Sequence, residues 1–119
     1  MDFTKDKEIK RFDVFVAKLQ AQDGTHVEAK ARPVVVVSND KANTYSPVIS
    51  VVPLTSQNKK NIPTHVPFHT EGLAKQSTAL CEQILTVDRA NLGKRIGYVA
   101  DYLVQDRIDR ALRIQLNLD

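Results

Sequence analysis

Arg32 and Thr55 are the two residues whose types and setting could do chemistry. An arginine carries a permanent charge and a planar fork that binds two phosphate oxygens at once, and a threonine hydroxyl can both donate and accept. Residues 34–37 are four consecutive valines, bounded by Pro33 on one side and by Ser38, Asn39 and Asp40 on the other. That pattern suits a strand buried on both faces. Residues 48–54 repeat it. The ten residues between, 38–47, are rich in Asn, Asp, Ser and Pro and too polar for a core, which predicts two antiparallel neighbours joined by a surface loop. Arg32 and Thr55 then lie at the same end of the pair. A fixed cation and a hydroxyl at one end of a rigid sheet suit phosphate chemistry.

The rest of the chain must hold that pair in place. Residues 1–9 alternate charges without apolar periodicity and read as a loose N-terminal tail. Residues 11–19 predict a first strand, with Phe12, Val14 and Val16 on one face and Asp13, Phe15 and Ala17 on the other. Residues 20–31, polar and containing Gly24, read as a long flexible loop. Beyond Thr55 comes a polar turn at 56–61 with Lys59 and Lys60, then a strand at 62–68. Pro63 and Pro67 cannot donate to a ladder, so this is an edge strand. A loop through Gly72 leads to a short buried strand at 78–86. Asp88 is expected to cap a single helical turn to Leu92, and 94–100 returns as strand. Asp101 starts the one substantial helix, in which Leu103, Val104, Ile108, Ala111, Leu112 and Gln115 fall close to helical spacing. Asp106 and Arg110, and Asp109 and Arg113, are four apart with the acid first, the favourable order for a pair. Five or six strands and a terminal helix imply a small, strongly curved barrel: mainly β, one domain over residues 1–119.

Composition sets independent bounds. A chain of 119 residues has room for one modest core, and small domains of this kind commonly gain stability by oligomerising. The net charge is +3 overall, and residues 32–60 alone carry four cations against one anion. A basic centre suits a polyanionic partner. Cys81 is the only cysteine, so neither an intrachain disulfide nor a thiolate zinc cluster can form, which fits a reducing cytoplasm. Its apolar setting marks it as a core residue rather than a nucleophile. No apolar run approaches the ~20 residues of a membrane span, and the charged first 11 residues are not a signal peptide. His26, His65 and His69 show no carboxylate spacing that would make a metal site.

Five blocks, Arg32-Pro33-Val34, Ser38-Asn39-Asp40, Tyr45-Ser46-Pro47, Pro53-Leu54-Thr55 and Ile62-Pro63-Thr64-His65-Val66, resemble in order and spacing those of MazF/PemK toxins, the mRNA-cutting halves of bacterial toxin–antitoxin pairs. The resemblance continues through residues 79–88 and the terminal helix, covering about residues 10–118. It implies an SH3-like barrel, shared with the gyrase poison CcdB, that forms a homodimer and acts on single-stranded mRNA without a cofactor. It also implies a cognate antitoxin whose disordered acidic segment wraps the dimer, with DNA contacted only through a toxin–antitoxin repressor complex. Two positions depart from the family's pattern: Phe12 and Lys30 stand where Gly is common.

The resemblance gives Arg32 and Thr55 the catalytic roles. Cutting RNA without a metal requires deprotonating the adjacent 2′-hydroxyl, stabilising the phosphorane and protonating the departing 5′-oxygen, and it leaves a cyclic phosphate. Arg32 fits stabilisation better than acid–base work, because a group with a pKa above ~12 surrenders its proton reluctantly. Thr55 is expected to orient the phosphate or the 2′-hydroxyl. His65 is a candidate for proton transfer, with a structural role as the alternative. Gln83 and Thr86 match polar positions lining the family's RNA groove, and Gln can read exposed base edges. Lys30, Ser56 and Lys59 are candidates for RNA contacts. Two readings stay beside the ribonuclease: a CcdB-like poison of DNA gyrase that does no chemistry, and a catalytically silent interaction module. The first is weakened by the lack of any Trp and by the ending Leu116-Asn117-Leu118-Asp119, where CcdB-type proteins end in Trp-Gly-Ile.

Overall fold

In the computed structural model the described residues are 7–19, 30–57 and 60–119. They form seven strands: β1 (Asp13–Leu19), β2 (Lys30–Val36), β3 (Val48–Thr55), β4 (His65–Phe68), β5 (Ser77–Leu80), β6 (Leu85–Asp88) and β7 (Leu92–Tyr98). Two helices accompany them, α1 (Asp40–Tyr45) and α2 (Tyr102–Leu116). All strand pairs are antiparallel, in the order β4-β5-β3-β2-β1-β7, with β6 also paired to β3. The sheet curls into the barrel expected from the sequence. Bulges in the β1–β7 ladder, between Val14 and Phe15 and between Phe15 and Ala17, add to the bend.

The valine run explains itself. Val35 and Val37 face one core with Val52, Leu54 and the α2 residues Ile108, Ala111 and Leu112. Val34 and Val36 face a second core with Phe15, Ile49, Val51, Val87 and Leu92. A strand covered on both sides has no polar face, so its sequence does not alternate. Val34, Val35 and Val36 are fully buried, each worth ~1.5–3 kcal/mol relative to exposure. The strands β2 and β3 pair as expected, Val34 with Pro53 and Val36 with Val51.

Several expectations change. The 38–47 connection holds a helix as well as turns. Asn39 caps α1 by accepting from the Ala42 N–H at 2.8 Å, and buried Asn43 donates to the Ser38 carbonyl at 2.8 Å. The expected strand at 78–86 is two strands, β5 and β6, separated by a 3-10 turn at Cys81–Gln83. The edge strand begins at His65, with Pro63 in the preceding turn, and β7 runs two residues earlier than predicted. Of the predicted tail, residues 7–9 are ordered: Ile9 is buried in the second core and the Lys7 ammonium donates to the Leu92 carbonyl. Residues 1–6, the 20–29 part of the predicted loop, and Lys59 lie outside the described residues. Asp88 precedes the helical turn Arg89–Asn91 without a side-chain cap bond, whereas Asp101 does cap α2, accepting from the Leu103 N–H at 2.8 Å. Asp106 and Arg110 pair at 2.9 Å as expected, but Asp109 pairs at 2.7 Å with Arg11, in the turn before β1.

Phe12 is not in the first strand. It sits at φ 73°, the left-handed region that favours glycine, at the turn into β1. Its N–H donates to the Val36 carbonyl at 2.8 Å, its carbonyl accepts from the Val99 N–H at 3.0 Å, and the Arg11 guanidinium lies 4.4 Å from its ring centre. Its side chain is buried, so packing and hydrogen bonds hold a conformation that the residue type disfavours.

Candidate active site

Two prolines interrupt the ladders at the end of the sheet where Arg32 and Thr55 lie. The Val37 N–H donates to the Ser50 carbonyl at 2.9 Å, so β2 and β3 exchange bonds between residues whose numbers sum to 87 with an odd member on β2. Pro33 would face Leu54 in that series and has no N–H to give. The Leu54 carbonyl is instead taken by the Arg32 guanidinium, Nη2 at 3.2 Å. Arg32 is thus fixed by a bond that its neighbour leaves vacant, and among the described residues its other donors take no partner and can meet a ligand.

The second interruption is on the other edge of β3. There β6 pairs Val51 with Leu85, while β5 pairs Leu54 with Ala79. Between those points β3 advances three residues and the opposing chain six, and the surplus is the 3-10 turn Cys81–Gln83. Pro53, again without an N–H, is the β3 residue facing that gap. The turn carries Gln83 outward on the same side as Arg32.

A cleft of about 680 Å³ lies between these features. Lys30, Arg32, Thr55, Ser56 and Gln83 all line it, over an apolar floor that includes Pro33, Leu54 and Leu80. Gln57, Lys75 and Ser77 also line it, and the sequence had not singled them out. Lys75 arrives from the connection between β4 and β5, because the pairing of Thr55 with Thr78 brings the residues just before Thr78 alongside Ser56 and Gln57. Among the described residues the lining has three cations and no carboxylate. Thr55 is half-buried, and its Oγ1 accepts from the Gln57 N–H at 3.2 Å, which leaves the hydroxyl proton to donate. Thr86 lies outside the cleft lining, exposed on β6 opposite Ser50.

His65 lies on a neighbouring cleft of about 360 Å³ that shares Ser56 and Gln57 with the first. Its Nδ1 lies 2.8 Å from the Lys60 carbonyl and its Nε2 lies 2.7 Å from Glu82 Oε2. A carbonyl and an ionised carboxylate only accept, so both nitrogens donate when the ring is an imidazolium. Burial pushes the Glu82 carboxyl upward, but bonds from His65, its own backbone and Thr64, with the attraction of His65, hold it below the ordinary value. Cys81 is fully buried, and its thiol is pushed up to about 12 by burial and then by the charge of Glu82. It is a core residue and not a nucleophile. Among the described residues no three His, Cys, Asp or Glu side chains converge on a point that could hold a metal, and no helix is long and apolar enough to cross a membrane.

Residues 10–116 match the model of the family described as PemK-like, MazF-like toxin of type II toxin-antitoxin system. The chain belongs to this PemK/MazF family. An endoribonuclease from a mycobacterial species has the same fold as this PemK/MazF chain, with a TM-score of 0.76 and 25% identity over 94% of each chain. A mycobacterial endoribonuclease solved in complex with its cognate antitoxin gives 0.77 and 25%, over 93% of this chain and 97% of that one. MazF from Deinococcus radiodurans gives 0.78 and 20%, over 95% of this chain and all of the other, a likeness of fold.

Proposed function

We propose that this PemK/MazF chain is a sequence-specific endoribonuclease that cuts single-stranded mRNA by attack of the adjacent 2′-hydroxyl. The observation that carries the reading is the meeting of Arg32 and Thr55 in one cleft walled by cations, hydroxyls and carboxamides. The scissile phosphate lies against Arg32, whose fork takes two of its oxygens and stabilises the charge that grows on the phosphorane. The Thr55 hydroxyl orients the phosphate or the 2′-hydroxyl by hydrogen bonding. Lys30 and Lys75 hold neighbouring phosphates, and Ser56 and Gln83 meet the nucleotides on either side. The products are a 2′,3′-cyclic phosphate and a 5′-hydroxyl.

Divalent cations such as Mg²⁺ are held largely by carboxylates, and the described lining has none. The reaction therefore runs on protein groups alone. The active form is a homodimer in the cytoplasm, and an antitoxin from the same locus neutralises it by laying an acidic segment into the basic cleft. DNA is met only through the toxin–antitoxin complex.

The test is incubation with a long RNA, followed by sequencing of the new 5′ ends, with and without excess chelator. Cuts at one recurrent word, in chelator, with 5′-hydroxyl ends, are expected. RNA that survives intact while DNA gyrase is inhibited would replace this reading with a CcdB-like poison. Cleavage that chelator abolishes and added metal restores would overturn the mechanism.

A further inference from the structure

Glu82 and His65 sit outside the cleft lining, and their bond ties the turn that carries Gln83 to the start of β4. Among the described residues, His65 at the start of edge strand β4 bonds from Nδ1 to the Lys60 carbonyl, in the connection that follows Ser56 and Gln57, and from Nε2 to Glu82 in the 3-10 turn. Its side chain is only 10% exposed. The turn is held a second time, from the residue just before β4, since the Cys81 N–H donates to the Thr64 carbonyl at 2.9 Å. It is also anchored from within, because the Cys81 side chain is in the core. Gln83 follows directly and stands exposed in the cleft. Its carboxamide can read a base edge only while the turn beneath it is fixed, since paired donor and acceptor bonds demand orientation.

We infer that the His65–Glu82 pair is a strut that positions Gln83 to read a base beside the bond being cut. This rests on the ribonuclease reading above and adds to it the residues that set one letter of the recognised word. Neither His65 nor Glu82 touches the RNA. Arg32 is held independently, by the Leu54 carbonyl, so the strut acts on recognition and leaves the chemical step alone.

The strut can be rebuilt without charge. In Glu82→Gln a neutral imidazole still donates from Nδ1 to the Lys60 carbonyl, and its Nε2 lone pair accepts from the new carboxamide. Glu82→Ala removes the bond altogether. The experiment first maps the word cut by the wild type, then measures single-turnover cleavage of short RNAs carrying that word or one base change at each position. Glu82→Ala, Glu82→Gln and Gln83→Ala are compared, with thermal unfolding of each.

Glu82→Ala and Gln83→Ala are expected to lose on the order of tenfold in discrimination at the same single position, and Glu82→Ala keeps the wild-type saturating rate. The double variant should lose no more than either alone, and Glu82→Gln should recover the discrimination. A merely structural pair would instead lower thermal stability and the rate on every RNA alike. Unchanged discrimination in Glu82→Ala, or effects of Glu82→Ala and Gln83→Ala at different positions, overturns the inference while the ribonuclease reading stands. A wild type that cuts no RNA overturns both. Should Glu82→Ala not fold, Glu82→Asp draws the carboxylate back by one methylene and serves the same comparison.

Discussion

At the scale of single residues, Arg32 and Phe12 show how local chemistry sets what a substitution costs. Arg32→Lys keeps the charge and loses the fork, so it should behave nearly as badly as Arg32→Ala. Removing one preorganised donor costs ~2.7–4 kcal/mol in the chemical step, while RNA binding, spread over Lys30 and Lys75 as well, should fall much less. Single-turnover cleavage, with binding measured separately on an RNA carrying a 2′-deoxy group at the cut, separates the two. A wild-type rate for Arg32→Lys would make Arg32 only a charge in the field. Phe12 poses an opposite balance, since its φ of 73° suits a glycine. Phe12→Gly would relieve ~1–2 kcal/mol of backbone strain but empty a buried aromatic site, a loss of ~3–5 kcal/mol. The net expectation is destabilisation on the order of 2 kcal/mol. Urea unfolding checks it, and a more stable Phe12→Gly would show that the strain dominates.

At the scale of elements, helix α2 is fastened to the sheet by burial of Ile108, Ala111 and Leu112 and by one well-connected arginine. Arg11 donates from Nε to the Val37 carbonyl at 2.9 Å and from Nη2 to Asp109 at 2.7 Å, while its guanidinium stacks on Phe12. Its backbone N–H donates to Asp40 at the start of α1. The Asp106–Arg110 pair, by contrast, is on the open face of α2, with side chains 56% and 74% exposed. Arg11→Ala should therefore cost ~2 kcal/mol through lost charged hydrogen bonds and stacking, and Asp106→Ala less than ~0.5 kcal/mol. Equal shifts of the urea midpoint would contradict this. What the sequence disclosed of these elements follows the same physics. The valine strand, its partner and the terminal helix were legible because burial imposes a pattern on consecutive residues. Helix α1 was not, because its six residues depend on the Asn39 cap and on buried Asn43 more than on any periodicity. The break between β5 and β6 left no Gly or Pro in residues 78–86. Its mark is on the opposite strand, at Pro53, where a reading of one segment at a time does not look.

At the scale of the whole molecule, charge placement matters more than charge total. Net +3 on 119 residues is a weak field, and much of the charge is spent within the fold, as in Arg11 with Asp109 and Arg95 with Asp13. The cleft is different: Lys30, Arg32 and Lys75 face it with no carboxylate among its described lining residues. Arg32 and Thr55 were legible from the two strands that carry them. Lys75 was not, since its presence follows from β5 lying beside β3, a pairing between distant segments. It nevertheless makes a measurable claim. Each phosphate neutralised on a single strand contributes ~0.7 to the slope of log affinity against log salt, so three cations predict a slope of about −2 for each cleft. Lys75→Ala should flatten that slope by ~0.7 and weaken binding alike for cognate and altered words, because a phosphate contact carries no base identity. Binding is measured on an uncleavable RNA across a range of salt. An unchanged slope would place Lys75 away from the RNA path, and a loss confined to one word would give it a role in base reading.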